Sequence, residues 1–263
     1  MSIIICPVCG KPLNTKEKPC LCEVGHSFDR AKEGYLNLLL SNQHKSRHPG
    51  DSPQSCKARR AFLSSGYYEP LAIFVASLLS DGTVLDACCG EGYYTSFMTG
   101  ENRAVYGFDI AKDMIKLASK RDKSAEFFVA GINNIPVEEK SVDTLTHIFA
   151  PVNDSEFSRI LKDDGIMIDV IPGADHLMGL KSILYDEPYK NPVSPLDSSL
   201  FRQQDEKTLK YDITAEGEDV MNLFHMTPYA YKTALTGEKK LAQVSSLRTS
   251  VEFVVRIYKK SIR

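Results

Sequence analysis

The chain has 263 residues, of which 43% are hydrophobic and 25% are charged, and its formal net charge is −2. This composition is typical of a soluble globular protein with one large domain, or with a large domain and a small appendage. A net charge near zero excludes a protein that is basic throughout, so contact with nucleic acid needs a local basic patch. Neither a long apolar run nor a signal-peptide pattern occurs, which predicts no membrane span and a reducing, cytoplasmic setting.

Four cysteines and a histidine lie within residues 6–26. Cys6 and Cys9 form a C-x2-C knuckle, and Cys22 and His26 follow with the spacing of a second knuckle. Three thiolates and one imidazole make a closed tetrahedral set, which is typical of structural rather than catalytic zinc. Cys20 is an alternative third sulfur ligand. The pattern predicts a small zinc-bound module, because so short a segment cannot bury a core of its own.

A basic stretch covers residues 44–60. It is interpreted either as a solvated linker or as a set of phosphate contacts along a folded RNA. Its only acid is Asp51, whereas it has five cations: Lys45, Arg47, Lys57, Arg59 and Arg60.

An alternation of strands and helices begins near residue 83. A buried strand over 83–88 is followed by Gly90, Gly92 and a short helix, which is the opening of a nucleotide-type α/β unit. The pattern predicts an α/β fold with a parallel sheet covered on both faces. Further strands are predicted over 104–110, 126–131, 142–149, 165–172 and 251–260, and helices over 111–121, 155–162 and from about Glu216 to before Pro228.

Polar residues fall at the carboxyl ends of these strands, where ligands bind in such sheets. Asp86 ends the first strand, and Asp109 ends the second, where it either accepts hydrogen bonds from ribose or caps the next helix. Asn133 follows the third strand as an adenine contact or a turn former, and His147 in the fourth is interpreted as a core residue.

The glycine turn indicates the cofactor. Residues 86–92 read D-x-x-C-G-x-G, which fits neither the G-x-G-x-x-G of nicotinamide dehydrogenases nor a P-loop. The turn, together with an acid at the end of the next strand, resembles class I S-adenosylmethionine-dependent methyltransferases.

Further motifs make the resemblance more specific. They are CPVC…C…H, AKEGYLNLL, QHKSRHPGDS, ARRAFL…GYYEPL, LDACCGEGYYT, FAP and PGADHLMGLK. The chain resembles the bacterial 23S rRNA (guanine-N1)-methyltransferases of the RlmA type from Cys6 to about Tyr185, and more loosely beyond.

The resemblance implies a Rossmann-like, seven-stranded class I methyltransferase domain preceded by a small zinc-binding domain. The expected division is 1–34 for the zinc-binding domain, 35–70 for a basic linker and a helix packing on the cofactor site, and 71–263 for the methyltransferase domain. The expected activity is methylation of N1 of a guanine in a 23S rRNA hairpin loop, by a cytoplasmic homodimer with S-adenosylmethionine and one structural zinc ion.

The resemblance also implies which residues form the sites, through the positions that match the family's motifs. Cys6, Cys9, Cys22 and His26 match the zinc ligands, and Tyr68, Gly90, Glu91, Asp109 and His176 match residues around the cofactor. Asp86, Gly92 and Asn133 join the cofactor set through their strand-end positions. The family usually has glycine where Cys88 stands, so a Cβ there is expected to restrict φ and crowd the cofactor.

Two other functions remain open on the sequence. One is a class I methyltransferase acting on a small molecule, with zinc purely structural. The other is a zinc-ribbon RNA-binding protein whose methyltransferase domain is inactive because of Cys88. The sequence does not identify the general base.

Overall fold

The computed structural model describes residues 2–40 and 52–261. The chain begins with a small three-stranded antiparallel sheet made of β1 (Leu13–Asn14), β2 (Cys20–Cys22) and β3 (Ser27–Phe28), with β2 in the centre. Together with the turns at Cys6–Gly10 and Cys22–His26, these strands form the zinc ribbon predicted from the cysteine spacing.

A second, larger sheet forms the centre of the molecule. Its strands are β4 (Leu36–Asn37), β5 (Gly82–Ala87), β6 (Arg103–Asp109), β7 (Glu126–Val129), β8 (Val142–Ile148), β9 (Leu161–Pro172), β10 (Phe201–Glu216) and β11 (Ser246–Lys260). They lie in the order β10-β11-β9-β8-β5-β6-β7-β4. The strands from β9 to β4 run parallel, whereas β11 is antiparallel to both β9 and β10.

The order of the strands indicates where a ligand-binding cleft lies. From β5 the chain adds β6 and β7 on one side and then returns to add β8 and β9 on the other. The point where the direction reverses, at the carboxyl ends of β5 and β8, is where such sheets bind ligands.

Helices cover the sheet. In the described segments they are α1 (Pro53–Ser64), α2 (Glu69–Ser77), α3 (Thr95–Met98), α4 (Lys112–Arg121), α5 (Asp154–Ile160), α6 (Met178–Leu184), α7 (Glu218–His225) and α8 (Leu235–Leu241), with a 3-10 turn at Pro228–Tyr231. The central strands are buried on both faces, which explains their nearly continuous apolar sequence. Val84, Leu85 and Ala87 of β5, for example, are at most 1% exposed.

The zinc ribbon is joined to the edge of the large sheet. The amide of Ile5 donates to Pro136 O at 3.0 Å, and the guanidinium of Arg30 pairs with Glu126 at 2.6 Å. Ile4 and Leu36 are buried in the same apolar cluster as residues of β6, β7 and β8. The predicted domain boundaries stay a prediction, but ribbon and sheet share one continuous core.

The fold class is confirmed, and three details of the prediction are corrected. The sheet has eight strands rather than seven, because Leu36–Asn37 of the predicted linker pairs with β7. It is mixed rather than parallel throughout, because β10 and β11 form a long antiparallel pair. No strand was predicted over β10, where most side chains are exposed and the apolar signal is therefore weak.

Several boundaries also differ from the prediction by a few residues, and two helix ends illustrate this. The helix predicted to reach residue 162 ends at Ile160, and Leu161 already belongs to β9. The helix predicted from about Glu216 begins at Glu218, because Gly217, with φ 56°, turns the chain out of β10. Among residues 2–40 and 52–261, none of the helices combines the length and the apolar character needed to cross a bilayer.

Candidate active site and zinc centre

The four predicted zinc ligands come together. The ligand atoms of Cys6, Cys9, Cys22 and His26 all lie within 4.8 Å of one another. The Sγ atoms of Cys9 and Cys22 are 3.7 Å apart, and His26 Nδ1 lies 3.6 Å from Cys6 Sγ and 3.4 Å from Cys22 Sγ. Cys20, the alternative ligand, is outside this group and donates its S–H to Glu17 O.

These distances fit a tetrahedral zinc ion. Zn–S bonds of about 2.3 Å and Zn–N bonds of about 2.0 Å place two sulfurs about 3.8 Å apart, and a sulfur and a nitrogen about 3.5 Å apart. The observed 3.7 Å and 3.4–3.6 Å agree with both edges. Four protein ligands leave no open position for water, so the centre is structural.

The knuckles are shaped by two glycines. Gly10 (φ 71°) and Gly25 (φ 91°) end the two turns, and their amides donate to the carbonyls of Cys6 and Cys22, each at 2.9 Å. Burial opposes ionisation of the Cys22 thiol, but hydrogen bonds from the backbone of Val24 and His26 and from neighbouring side chains lower its pKa to about 6. The thiolate form that binds zinc is therefore accessible near neutral pH.

A tight turn follows β5 at the centre of the cleft. Cys88, Gly90 and Gly92 all have left-handed backbone, with φ of 57°, 56° and 72°. A Cβ on Gly90 would meet nothing within 4 Å, whereas one on Gly92 would lie 2.9 Å from Ala118 Cβ in α4. Gly90 therefore presents bare backbone to the cleft, and Gly92 allows close packing of the helix.

The carboxylate of Asp109 ties this turn to the next helix. It accepts from the amide of Gly90 at 3.0 Å through Oδ2 and from the amide of Ala111 at 2.8 Å through Oδ1. Asp109 therefore braces the start of α4, as one sequence interpretation proposed. It also lies at the carboxyl end of β6 beside the glycine turn, and the ribose contact stays a prediction.

Asp86 is turned into the protein. Its side chain is 2% exposed, and its two carboxylate oxygens accept from Thr95 Oγ1 at 2.5 Å and Thr146 Oγ1 at 2.9 Å. Burial raises the pKa of Asp86 to about 6, although the two threonine hydroxyls act in the opposite direction. Asp86 thus joins β5 to α3 and β8 behind the cleft, rather than pointing at a ligand as the sequence suggested.

Glu91, which stands between the two glycines of the turn, is engaged by two arginines. Its carboxylate is 5% exposed and pairs with Arg121 at 2.8 Å and Arg60 at 3.6 Å. Burial raises the pKa of Glu91, while the two arginines lower it. A cavity of about 300 Å³ opens here. Three of its six lining residues are cations and one is an acid: Arg60, Ser64, Glu91, Leu117, Lys120 and Arg121.

A buried pair of polar side chains joins the start of α2 to the segment after β9. Tyr68, 2% exposed, and His176, 6% exposed, meet with Oη 3.3 Å from Nε2. Burial lowers the pKa of His176 to about 3, so the imidazole is neutral. Because Nδ1 accepts from the amide of Glu252 at 3.2 Å, Nε2 carries the proton and donates to Tyr68, whose own O–H can donate to a ligand.

Two further strand-end residues have different surroundings. Asn133 is exposed after β7, and its Oδ1 accepts from Asn153 Nδ2 at 3.1 Å. His147 is 2% exposed, with Nε2 2.7 Å from Pro151 O and Nδ1 2.9 Å from Asp169 Oδ1. His147 is therefore a packed residue, as interpreted from the sequence, and it fixes the loop after β8.

The predicted RNA contacts are partly described. Lys45 and Arg47 lie outside the described residues. Lys57 is exposed on α1, Arg59 donates to Met226 O at 3.5 Å, and Arg60 reaches Glu91. The basic face of α1 therefore leads to the glycine turn.

Sequence reasoning missed several residues that hold the site together. Phe253 of β11 lies 5.0 Å from the ring of Tyr68 and 4.9 Å from that of His176. Thr95, Thr146 and Asp169 fix Asp86 and His147. No local motif marks these residues, because their partners are distant in the sequence.

Strand order, glycine turn and strand-end acid define a class I methyltransferase, and a family model described as a methyltransferase domain matches residues 84–165. The enzyme is S-adenosylmethionine-dependent. A second model, the N-terminal zinc ribbon of RlmA, matches residues 4–47. The chain therefore belongs to the methyltransferases that carry an RlmA-type zinc ribbon in front of the catalytic domain.

Curated relatives span most of the chain. A putative 23S rRNA (guanine-N(1)-)-methyltransferase of Bacillus subtilis is 29% identical over 97% of this chain and 96% of its own length. The 23S rRNA (guanine(748)-N(1))-methyltransferase of Streptomyces fradiae is 30% identical over 68% of this chain and 66% of its own. Among solved structures, a chain of the complex between the Haloferax volcanii Trm112 methyltransferase activator and the putative methyltransferase is similar in fold, with a TM-score of 0.50, 13% identity, and coverage of 79% of this chain and 95% of that one.

Proposed function

We propose that this chain transfers a methyl group from S-adenosylmethionine to N1 of a guanine in 23S rRNA. The observation that carries the proposal is the end-to-end similarity to the Bacillus subtilis relative, whose name states this reaction. The similarity includes the zinc ribbon, which matches the N-terminal ribbon of RlmA. The geometry of the cleft supports the cofactor, and the basic face of α1 supports the RNA.

The cofactor is proposed to lie across the carboxyl ends of β5, β6 and β9. Asp109 would accept from the ribose hydroxyls, for which a strand-end carboxylate is suited. The bare backbone at Gly90 would allow close approach, and the Tyr68–His176 pair would donate to an acceptor such as the cofactor carboxylate. Asn133, exposed after β7, is proposed to meet the adenine edge.

Three other predicted cofactor residues are proposed to support the glycine turn without contacting the cofactor. Asp86 holds α3 and β8 through Thr95 and Thr146. Gly92 lets α4 pack closely, and Glu91 fixes Arg60 and Arg121 beside the turn. These residues would shape the turn rather than touch the cofactor, since their side chains or close contacts point into the protein.

The bound cofactor supplies a methyl group activated by a sulfonium, and the protein aligns the acceptor with it and keeps water out. The proton on guanine N1 must leave before or during attack. Both His147 nitrogens are engaged, by Pro151 O and by Asp169, so this histidine is proposed to position the loop rather than to accept that proton.

RNA is proposed to approach along α1. Lys57 is exposed there, and Arg60, Lys120 and Arg121 surround the 300 Å³ cavity with a single carboxylate among them. Such a cationic lining suits a backbone phosphate, and Lys45 and Arg47 would extend the same basic stretch. Replacing Lys57 by alanine should weaken RNA binding and reduce the slope of log affinity against log salt by about 1.

The proposal includes the predicted division into three segments, the homodimer and the cytoplasmic location. Each stays a prediction. Sedimentation equilibrium of the zinc-loaded protein, with and without RNA, measures the oligomeric state, and a monomer under both conditions would contradict the dimer.

The function is tested by incubating zinc-loaded protein with unmodified 23S rRNA and methyl-tritiated S-adenosylmethionine, followed by nucleoside analysis. The proposal predicts label in 1-methylguanosine, and none with Asp109→Ala. Label in another nucleoside would contradict the guanine-N1 target. Cofactor binding without any transfer to RNA would contradict an RNA substrate and favour a small molecule.

A further inference from the structure

Backbone strain is concentrated at the cleft. Four non-glycine residues of the described segments have positive φ, and Lys140 (51°) lies in the turn before β8. The other three surround the carboxyl end of the sheet: Cys88 (57°) after β5, Phe149 (53°) after β8 and Leu177 (59°) beyond β9. Left-handed backbone is unfavourable for residues with a Cβ, and such strain collects at functional sites.

Phe149 differs from the other two residues. Leu177 is fully buried, so packing compensates its conformation, and Cys88 is small. Phe149 exposes 42% of its surface. A large apolar residue at positive φ with a half-exposed ring gains too little from packing to explain its position.

The surrounding chain fixes Phe149 in this conformation. Its amide donates to Val170 O in β9 at 3.0 Å. Two residues later, Pro151 O accepts from His147 Nε2 at 2.7 Å, and His147 is itself held by Asp169. The loop is therefore anchored on both sides of Phe149, which is the condition under which strained backbone persists.

The ring of Phe149 lies next to the proposed cofactor residues. Its centroid is 5.7 Å from that of Phe253 and 6.3 Å from that of Tyr94. Phe253 in turn contacts Tyr68 and His176, with centroids 5.0 and 4.9 Å away. These rings form one aromatic cluster. Its buried end lies at Tyr68 and His176, and Phe149 is its exposed end.

We propose that Phe149 is the platform on which the target guanine stacks while its N1 faces the methyl group; this inference rests on the proposed function. A base that reacts at N1 must leave its stack in the RNA, because N1 is otherwise paired or covered. An aromatic ring replaces the lost stacking for any base, and Phe149 is a large aromatic held at the strand tips beside the cofactor residues. The left-handed backbone at Phe149 holds the ring in this exposed position.

Steady-state kinetics on unmodified 23S rRNA test the platform. Phe149→Ala should lower kcat/KM for RNA by about 10- to 100-fold, as expected for the loss of one base–aromatic stack, and leave S-adenosylmethionine affinity unchanged. Phe149→Tyr should retain activity within about threefold, since the ring remains. Val152→Ala is the matched control: Val152 is 40% exposed in the same loop and should behave as the wild type.

Phe149→Gly separates stacking from folding. Glycine accepts positive φ, so this variant should melt no lower than Phe149→Ala and yet lose activity to the same extent. Wild-type activity in Phe149→Ala, or equal losses in Phe149→Ala and Phe149→Tyr, would overturn the platform. A parallel loss of cofactor affinity would also overturn it, because Phe149 would then support the cofactor pocket.

A fluorescence measurement tests the platform even if the wild type fails to methylate rRNA. The chain has no tryptophan, so Phe149→Trp introduces a single reporter. With S-adenosylhomocysteine bound, guanosine 5′-monophosphate should quench its emission in a saturable way, and should not quench Leu235→Trp, placed at a residue 74% exposed on α8. Equal or absent quenching at both positions would refute the platform, whereas inactivity of the wild type refutes only the function.

Discussion

Replacing Asp86 by asparagine should make the protein's stability depend differently on pH. Asp86 is 2% exposed, and burial raises its pKa from 3.8 to about 6. The folded state therefore holds this proton more tightly than the unfolded chain does. The resulting stabilisation is fully present below pH 3.8 and is lost as the pH rises through about 6.

The magnitude follows from that pKa. A pKa of about 6 in place of 3.8 corresponds to about 3 kcal/mol, at about 1.36 kcal/mol for each tenfold change in proton affinity. Roughly 1 kcal/mol of this separates pH 5 from pH 7.5, by the same linkage relation. Asparagine stays neutral, and it can accept from one threonine hydroxyl and donate to the other.

Urea denaturation at about pH 5 and about pH 7.5 measures the effect. The free energy of unfolding of Asp86→Asn, relative to the wild type, should rise by roughly 1 kcal/mol from the lower to the higher pH. The control is Asp164→Asn, an exposed position, whose difference should stay within about 0.5 kcal/mol. A relative stability of Asp86→Asn that does not change with pH would refute the argument that burial governs this carboxyl.

Three further variants probe the zinc centre and the cleft. Cys9→Ser should abolish binding of one equivalent of zinc and lower the melting temperature, whereas Cys20→Ser should retain the metal; metal analysis after gel filtration decides, and zinc loss in Cys20→Ser would contradict the ligand set. Tyr68→Phe should cost about 1–3 kcal/mol of stability, because His176 loses its buried acceptor, and should weaken S-adenosylmethionine binding in calorimetry; unchanged affinity would remove the pair from the cofactor site. Gly92→Ala should destabilise by about 1–3 kcal/mol in urea through its φ of 72° and its contact with α4, and wild-type stability would contradict that account.

Much of the site could be predicted from the sequence, because its information is local. Cys6, Cys9, Cys22 and His26 have fixed spacings that are short enough to define one metal site. The strand, glycine turn and helix around Gly90 are contiguous, so the position of the turn at the carboxyl end of β5 follows from the order of residues. The fold class follows from the same alternation.

The remaining features depend on distant parts of the chain. Tyr68 and His176 are separated by 108 positions, contact each other directly, and both pack against Phe253 in the last strand. The direction of Asp86 depends on the hydroxyls of Thr95 and Thr146, which the sequence does not place. The strand β10 has few buried residues and is fixed by its pairing with β11, so its own pattern does not predict it.

The most direct test of the central claim is the methylation state of 23S rRNA in cells that lack this protein. A methyl group on N1 blocks the Watson–Crick edge of guanine, so primer extension halts one nucleotide before it. The account predicts one stop in wild-type RNA that disappears in the deletion strain and returns with the intact gene but not with Asp109→Ala. An unchanged set of stops in the deletion strain would contradict it.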